Sequence, residues 1–241
     1  MPYALIDWDN TVRKGATLFA WMAFLHDEKN AIEDKFITNR LKICECCRQG
    51  WITHDTLCGL CTQNYVASVK GMKESDYWEY VKGYLAWDKA LDVQFNRVLF
   101  AFIKKYDMPM IIATGSPANL LHDFCGQMNV DKLFAFEEVI ENGVLTGEAI
   151  NDAGGAKPLA AAYALERFNG EKPLLAAGDS DSDIPMLDLA TIKIVVGDNK
   201  ELLERYPDCI HVHLDDEGAI ELSRRLELKE KELGLVPPTK E

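Results

Sequence analysis

The chain has 241 residues, 48% of them hydrophobic and 10% aromatic, enough to bury a substantial core in one large domain or a domain with an insert. A formal net charge of -13 argues against a general nucleic-acid or anionic-membrane surface, and no repeat or low-complexity segment is visible. Seven cysteines form an odd set; with no apolar run long enough for a signal segment, they are expected as reduced thiols in a cytoplasmic protein rather than a disulfide framework.

The first predicted element is Tyr3-Ala4-Leu5-Ile6, too short for a membrane span and read as a buried strand. Asp7-Trp8-Asp9-Asn10-Thr11 follows directly. At the carboxyl end of a central parallel strand these residues face the crevice where open α/β folds bind ligands, and Asp7 and Asp9, two apart, point the same way. Two carboxylates aimed together repel unless a cation or a shared proton intervenes. The pair therefore reads as a metal site, an acid/base pair or both, against the alternative of a solvated acidic turn.

From Leu18 to Tyr84 the spacing is helical and proline is absent, which predicts a helical insert placed to cover those carboxylates. Inside it, Cys44-x-x-Cys47 and Cys58-x-x-Cys61 are two CxxC pairs, and four thiolates suit tetrahedral zinc. The same cysteines also extend apolar stripes, Cys44 with Ile37 and Leu41, Cys58 and Cys61 with Tyr65, and core packing is the reading adopted.

Beyond the insert the pattern alternates. A helix from Phe95 to Lys105 precedes a strand from Met108 to Ala113 and a helix through Leu120, Leu121 and Phe124. Asn142-Gly143 predicts a hairpin turn between Glu138-Val139-Ile140 and Val144-Leu145-Thr146. A helix from Ala156 to Phe168, a strand from Pro173 to Ala177, a helix after Asp183, strands at Ile192 to Val196 and Ile210 to Val212, and a charged helix from Glu217 to Leu233 complete the chain. The expected class is α/β, a doubly wound parallel sheet formed by 1–14 and 86–241, with a helical cap domain over 15–85.

Four segments fall at predicted strand ends or helix starts, where a phosphoryl-transfer site needs them. Asp7 to Thr11 is the first. Ala113-Thr114-Gly115-Ser116 offers a hydroxyl and glycine-flanked backbone N–H groups to phosphate oxygens. Lys157 brings a cation to phosphate charge, and the acidic loop Gly178-Asp179-Ser180-Asp181-Ser182-Asp183 can complete a hard-cation site with Asp7. Singly, these read as turn chemistry, a surface lysine and helix capping; together and in this order they read as one site.

With IDWDNTV, IIATGSP, GGAKPLA and GDSDSDIPML in that order, the chain resembles the haloacid dehalogenase superfamily, specifically its phosphoserine-phosphatase-like branch with a helical cap between the first two motifs. The resemblance implies a Rossmann-like core and a magnesium-dependent phosphatase for a small phosphorylated metabolite, with no nucleic-acid or membrane partner. It implies Asp7 as the nucleophile that forms an aspartyl-phosphate and Asp9 as the acid/base. Thr114 and Lys157 then hold the phosphoryl oxygens, with Gly115 and Ser116 as neighbouring substrate contacts. Mg2+ would bind Asp7, the backbone carbonyl of Asp9 and Asp179, with Asp183 supporting it directly or through water.

Some residues depart from the pattern. Asn10 stands where glycine is often found, and Trp8 is bulkier than the usual Phe or Leu. That branch carries an acidic cap residue soon after the first motif to meet the substrate ammonium, whereas here no acid appears between Val12 and Asp27, which speaks against phosphoserine. Arg13 and Lys14 read either as a solvated hinge or as contacts favouring an anionic or neutral leaving group, which makes Arg13 a candidate substrate residue. A phosphotransferase built on the same aspartyl-phosphate is the near alternative. A signalling receiver domain is the distant one, disfavoured because its acidic pair precedes the acceptor and it has neither the second Asp nor a cap.

Overall fold

The computed structural model describes residues 1–151 and 156–238. Strand β1 (Ala4–Asp7) is buried at every position because both sheet faces are covered. Tyr3 and Leu5 join one apolar layer, and Ala4, Ile6 and Trp8 the other. The alternation therefore continues past the strand end, and Asp7 points into the Leu5 layer.

Among the described residues six further strands follow: β2 (Met110–Pro117), β3 (Val130–Glu141), β4 (Val144–Ile150), β5 (Leu175–Gly178), β6 (Ile192–Val196) and β7 (Ile210–Val212). Their order across the sheet is β4-β3-β2-β1-β5-β6-β7. β1 pairs in parallel with both β2 and β5, so the two wings of the sheet diverge at the strand that ends in Asp7. The expected parallel sheet is in fact mixed, because β4 runs antiparallel to β3. Asn142 and Gly143, at φ of 51° and 75°, supply the left-handed pair that a tight hairpin needs.

Between β1 and β2 lie α1 (Thr17–Ala23), a π-helical turn (Phe24–Glu28), α2 (Asp34–Arg48), α3 (His54–Ser68), α4 (Glu74–Trp87) and α5 (Gln94–Lys105). The first four helices are the inserted cap. The remainder are α6 (His122–Gln127), α7 (Ala156–Arg167), α8 (Ile184–Leu187), α9 (Lys200–Arg205) and α10 (Asp216–Leu233). α5 and α10 cover one sheet face through Phe95, Leu99, Leu222 and Leu226. α7, α8 and α9 cover the other, where Ala156, Ala160 and Ala164 form a small-residue stripe that lets α7 lie close to β2 and β3. Among the described residues no helix is long and apolar enough to cross a membrane.

The cap is joined to the core in two places. At the sheet edge the α3–α4 connection extends the hairpin: Gly71 N donates to Leu145 O, Leu145 N to Met72 O and Glu74 N to Gly143 O, each at 2.9 Å. These bonds cover an edge otherwise left open. Beneath them Glu138 is buried and accepts from Tyr65 Oη at 2.5 Å, Tyr77 Oη at 2.8 Å and Asn119 Nδ2 at 2.9 Å. Burial pushes the Glu138 carboxyl up, and these donors oppose the shift. At the hinge the two linkers are pinned together. Asn96 of α5 donates to Val12 O at 2.6 Å and Leu91 O at 2.8 Å, while Arg13 Nε pairs with Asp88 at 2.9 Å.

Candidate active site

The turn after β1 folds back on itself. Trp8 O accepts from Val12 N and Arg13 N, both at 3.0 Å, and Asn10 takes a φ of 59°, a conformation that asparagine tolerates better than most side chains. This turn delivers Asp7 and Asp9 to the carboxyl edge of the sheet. Asp7, 5% exposed, accepts from Thr11 Oγ1 at 2.6 Å on one oxygen and from Lys157 Nζ on the other. The strand parity explains the second contact, because the layer into which Asp7 points is the layer that holds α7.

Lys157 also lies 2.7 Å from Asp183 Oδ1. Burial works against its charge, but Asp183 and Asp7 more than offset that and hold the ammonium form. Asp183, fully buried, folds back beneath its own loop, where Oδ2 accepts Asp179 N at 2.9 Å and Ser180 N at 3.0 Å. Glycine at 178 is required for this fold-back, since a Cβ there would fall 2.5 Å from Asp183 Cβ and Cγ.

Asp9 is held from the cap and from β2 together. Thr17 N at 2.7 Å and Thr17 Oγ1 at 2.5 Å donate to Oδ1, and Ser116 Oγ at 2.6 Å donates to Oδ2, with Thr114 Oγ1 at 3.4 Å. Trp8 Nε1 donates to Thr17 Oγ1 at 3.1 Å, so the bulky Trp8 braces the threonine that grips Asp9.

The acidic cluster fits a hard divalent cation. Oxygens of Asp7, Asp179 and Asp183 lie within 4.8 Å of one another, with Lys157 paired to Asp7 and Asp183. Asp183 Oδ1 is buried and, although near Lys157, has no aligned hydrogen-bond partner. Burial pushes Asp7 up to about 7, with Asp183 adding to the rise and Lys157 opposing it. Burial, then Asp7 and Asp183, push Asp179 up to about 8. Carboxylates crowded in this way hold protons until a cation takes their place, and all-oxygen donors suit magnesium.

Above the cluster opens a cavity of about 250 Å³, with Asp7, Asp9, Gly115, Ser116, Lys157 and Asp179 on its floor. The cap contributes Leu18 and Phe19 from α1 and His54, Asp55, Leu57 and Cys58 from α3. The site thus gathers Asp7, Asp9, Thr114, Gly115, Ser116, Lys157, Asp179 and Asp183, but not Arg13. Arg13 is buried at the hinge, bound to Asp88, to Tyr84 Oη at 3.2 Å and to Lys14 O at 2.8 Å, and it does not line the cavity. An arginine so fully paired is a clasp between the linkers rather than a substrate contact. Gly154 and Gly155 of the third motif lie outside the described residues.

Sequence reasoning placed Thr11 in the first segment without a role of its own, and it missed Thr17 and the cap wall. Thr17, the first residue of α1 just past Gly15, could have been found as a hydroxyl at a helix start, whereas nothing linear ties Asp55 to Asp9. An acid does reach the cavity from the cap, but from α3 rather than from the stretch after the first motif. The cysteine pairs sit on α2 and α3, with Cys44 against Cys61 and with Cys58 and Cys61 lining the cavity; among the described residues they form no ligand-spaced group.

A family model described as haloacid dehalogenase-like hydrolase matches residues 4–188. No curated protein matches the chain significantly in sequence. Among solved structures, a phospho-aspartyl intermediate analogue of phosphoserine phosphatase is similar at 16% identity, over 93% of this chain and 98% of that chain, with a TM-score of 0.66. A substrate-bound phosphoserine phosphatase complex is similar at 16% identity over 93% and 98%, with a TM-score of 0.64. A phosphoserine phosphohydrolase-like protein from Francisella tularensis subsp. tularensis SCHU S4 is similar at 17% identity over 94% and 100%, with a TM-score of 0.64. At these identities the likeness is one of fold.

Proposed function

Because the chain belongs to the haloacid dehalogenase-like hydrolases, we propose that it is a magnesium-dependent phosphatase that hydrolyses a small phosphomonoester through an aspartyl-phosphate on Asp7. The observation that carries this reading is the joint placement of Asp7 and Asp9 on one cavity floor, the first beside Lys157 and the second beside Thr17 and Ser116. We assign 1–14 and 86–241 to the core domain and 15–85 to the cap domain.

An Asp7 oxygen attacks phosphorus, the bond to the leaving oxygen breaks, and Asp9 gives that oxygen its proton. Asp9 then takes a proton from the water that attacks the same phosphorus, which frees phosphate and restores the Asp7 carboxylate. Lys157, the Thr114 hydroxyl and the Gly115 backbone N–H hold the phosphoryl oxygens, while the Ser116 N–H donates to Thr114 Oγ1 at 3.1 Å and sets that hydroxyl's place. Asp7, Asp179, Asp183 and the Asp9 carbonyl would hold magnesium, which supplies neutralisation of phosphoryl charge when bound. The cap wall excludes water and receives the leaving group.

Hydrolysis of p-nitrophenyl phosphate tests this directly. Excess EDTA abolishes turnover and added Mg2+ restores it. Metal binding must displace protons from Asp7 and Asp179, so the Mg2+ concentration for half-maximal rate falls as pH rises through roughly 7 to 8. Undiminished turnover in chelator, or Mg2+ activation independent of pH across that window, contradicts the reading.

Selectivity follows from the cavity wall. Among the described residues, Lys157 is the only lysine or arginine lining it, while Asp55 stands on the cap side. A leaving group bearing a carboxylate meets no free guanidinium or ammonium there, and one bearing an amine meets Asp55. We expect O-phosphoethanolamine to be turned over better than O-phosphoserine. Asp55→Asn is expected to raise KM for the former about two- to fivefold, as suits an exposed charge pair, with p-nitrophenyl phosphate unaffected. A preference for O-phosphoserine would reject this assignment of the wall.

A further inference from the structure

We propose that Asp198, His211 and His213 form a second cation site, separate from the catalytic cluster, for a zinc-class divalent transition metal. Metal-ligating side chains of the described residues gather within 4.8 Å of one another in two groups, and this is the one outside the cavity. It is built by the end of the sheet. In β7, Ile210 and Val212 turn inward and are buried, so His211 and the following His213 share the outer face two residues apart. Gly197, at a φ of 80°, turns the chain out of β6, and its N–H donates to Val212 O at 2.8 Å, between the two histidines. That bond fixes Asp198 alongside β7.

The side-chain geometry matches a coordination shell better than a hydrogen-bond network. Asp198 Oδ1 stands 3.5 Å from His211 Nε2 and 3.5 Å from His213 Nε2, one oxygen equidistant from two ring nitrogens and too far to bond well with either. Ligand atoms about 2.0–2.1 Å from a tetrahedral centre are separated by roughly 3.4 Å. The rings meet at 60° with centroids 5.3 Å apart, so they are not stacked. Three protein ligands leave a fourth position to solvent water.

The backbone behind the histidines is also fixed. Gly218 in the first turn of α10 lies so close that any Cβ there would strike the His213 carbonyl, and Asp215 caps this turn by accepting Gly218 N at 2.7 Å. The donor set separates this site from the catalytic cluster: two imidazoles and one carboxylate select zinc, nickel or copper, whereas the all-carboxylate set suits magnesium. The site also borders the catalytic loop. Asn199, next to Asp198, caps α9 through Leu202 N and donates to Asp181 Oδ1 at 2.8 Å, within the loop that carries Asp179 and Asp183. A metal on Asp198 therefore braces that loop from outside.

The test is calorimetric titration of tag-free, full-length protein with ZnCl2 in excess Mg2+, with thermal melting alongside. Wild type takes up one Zn2+ per chain and melts at a higher temperature when it is bound. His211→Ala and His213→Ala each weaken binding at least about tenfold and lose the melting shift, since removing a ligand costs no less than removing a ligand's supporting partner. His211→Gln, which keeps the size of the side chain, behaves like His211→Ala. Asp179→Asn retains the site, which assigns it outside the catalytic cluster. No saturable Zn2+ uptake by Mg2+-loaded wild type, or uptake undiminished in a His211→Ala/His213→Ala double variant, overturns the proposal.

Discussion

Asp7→Asn protein is expected to fold normally and to lose at least about 10,000-fold in turnover of p-nitrophenyl phosphate, the scale on which removal of a nucleophile is felt. The fold survives because the substitution conserves shape and its neighbours keep partners. Lys157 retains Asp183 at 2.7 Å, and the Thr11 hydroxyl, now a donor to Asp7 at 2.6 Å, can rotate and accept from the new amide. What is lost is an anionic oxygen able to attack phosphorus. Steady-state rates together with a melting curve decide the matter, and near wild-type turnover in a folded Asp7→Asn protein excludes the covalent route.

Asp9→Asn has the second-largest effect, and its dependence on the leaving group is the diagnostic part. A proton donor matters most when the departing oxygen is basic. Turnover of an alkyl phosphate is expected to fall about 100- to 10,000-fold. With p-nitrophenyl phosphate the first step needs little protonation, so it proceeds faster than the second, which still lacks its base. Thr17 and Ser116 both donate to Asp9, and an amide in its place accepts from only one side. Equal losses for aryl and alkyl substrates, in burst and in steady state alike, contradict a proton-transfer role for Asp9.

Much of the architecture was legible because its local signals are strong. An apolar run ending in Asp7, an Asn-Gly turn and the strand from Ile192 to Val196 are set by chemistry within a few residues. The site motifs were legible for the same reason, since each lies at one end of one element. What the sequence hid depends on distant partners. Arg13 reads as a solvated or substrate-facing charge until Asp88, 75 residues on, is seen to hold it. Glu138 reads as a polar strand residue, yet it is buried under two tyrosines of the cap. The six residues of α9 are too few to show a period, and β3 runs from Val130, well before the hairpin that announced it. The His211–Asp198 relation crosses from one strand end to the next and leaves no linear trace.

The central claim is a phosphoryl group carried on Asp7, and the Asp9→Asn protein is the form in which to catch it. Mixed with p-nitrophenyl phosphate and Mg2+, acid-quenched within the first turnover and digested, it is expected to yield a near-stoichiometric acyl phosphate on the peptide containing Asp7 by mass spectrometry. Phosphate found on another side chain, or an unmodified Asp7 peptide alongside a full burst of p-nitrophenol, would contradict the account.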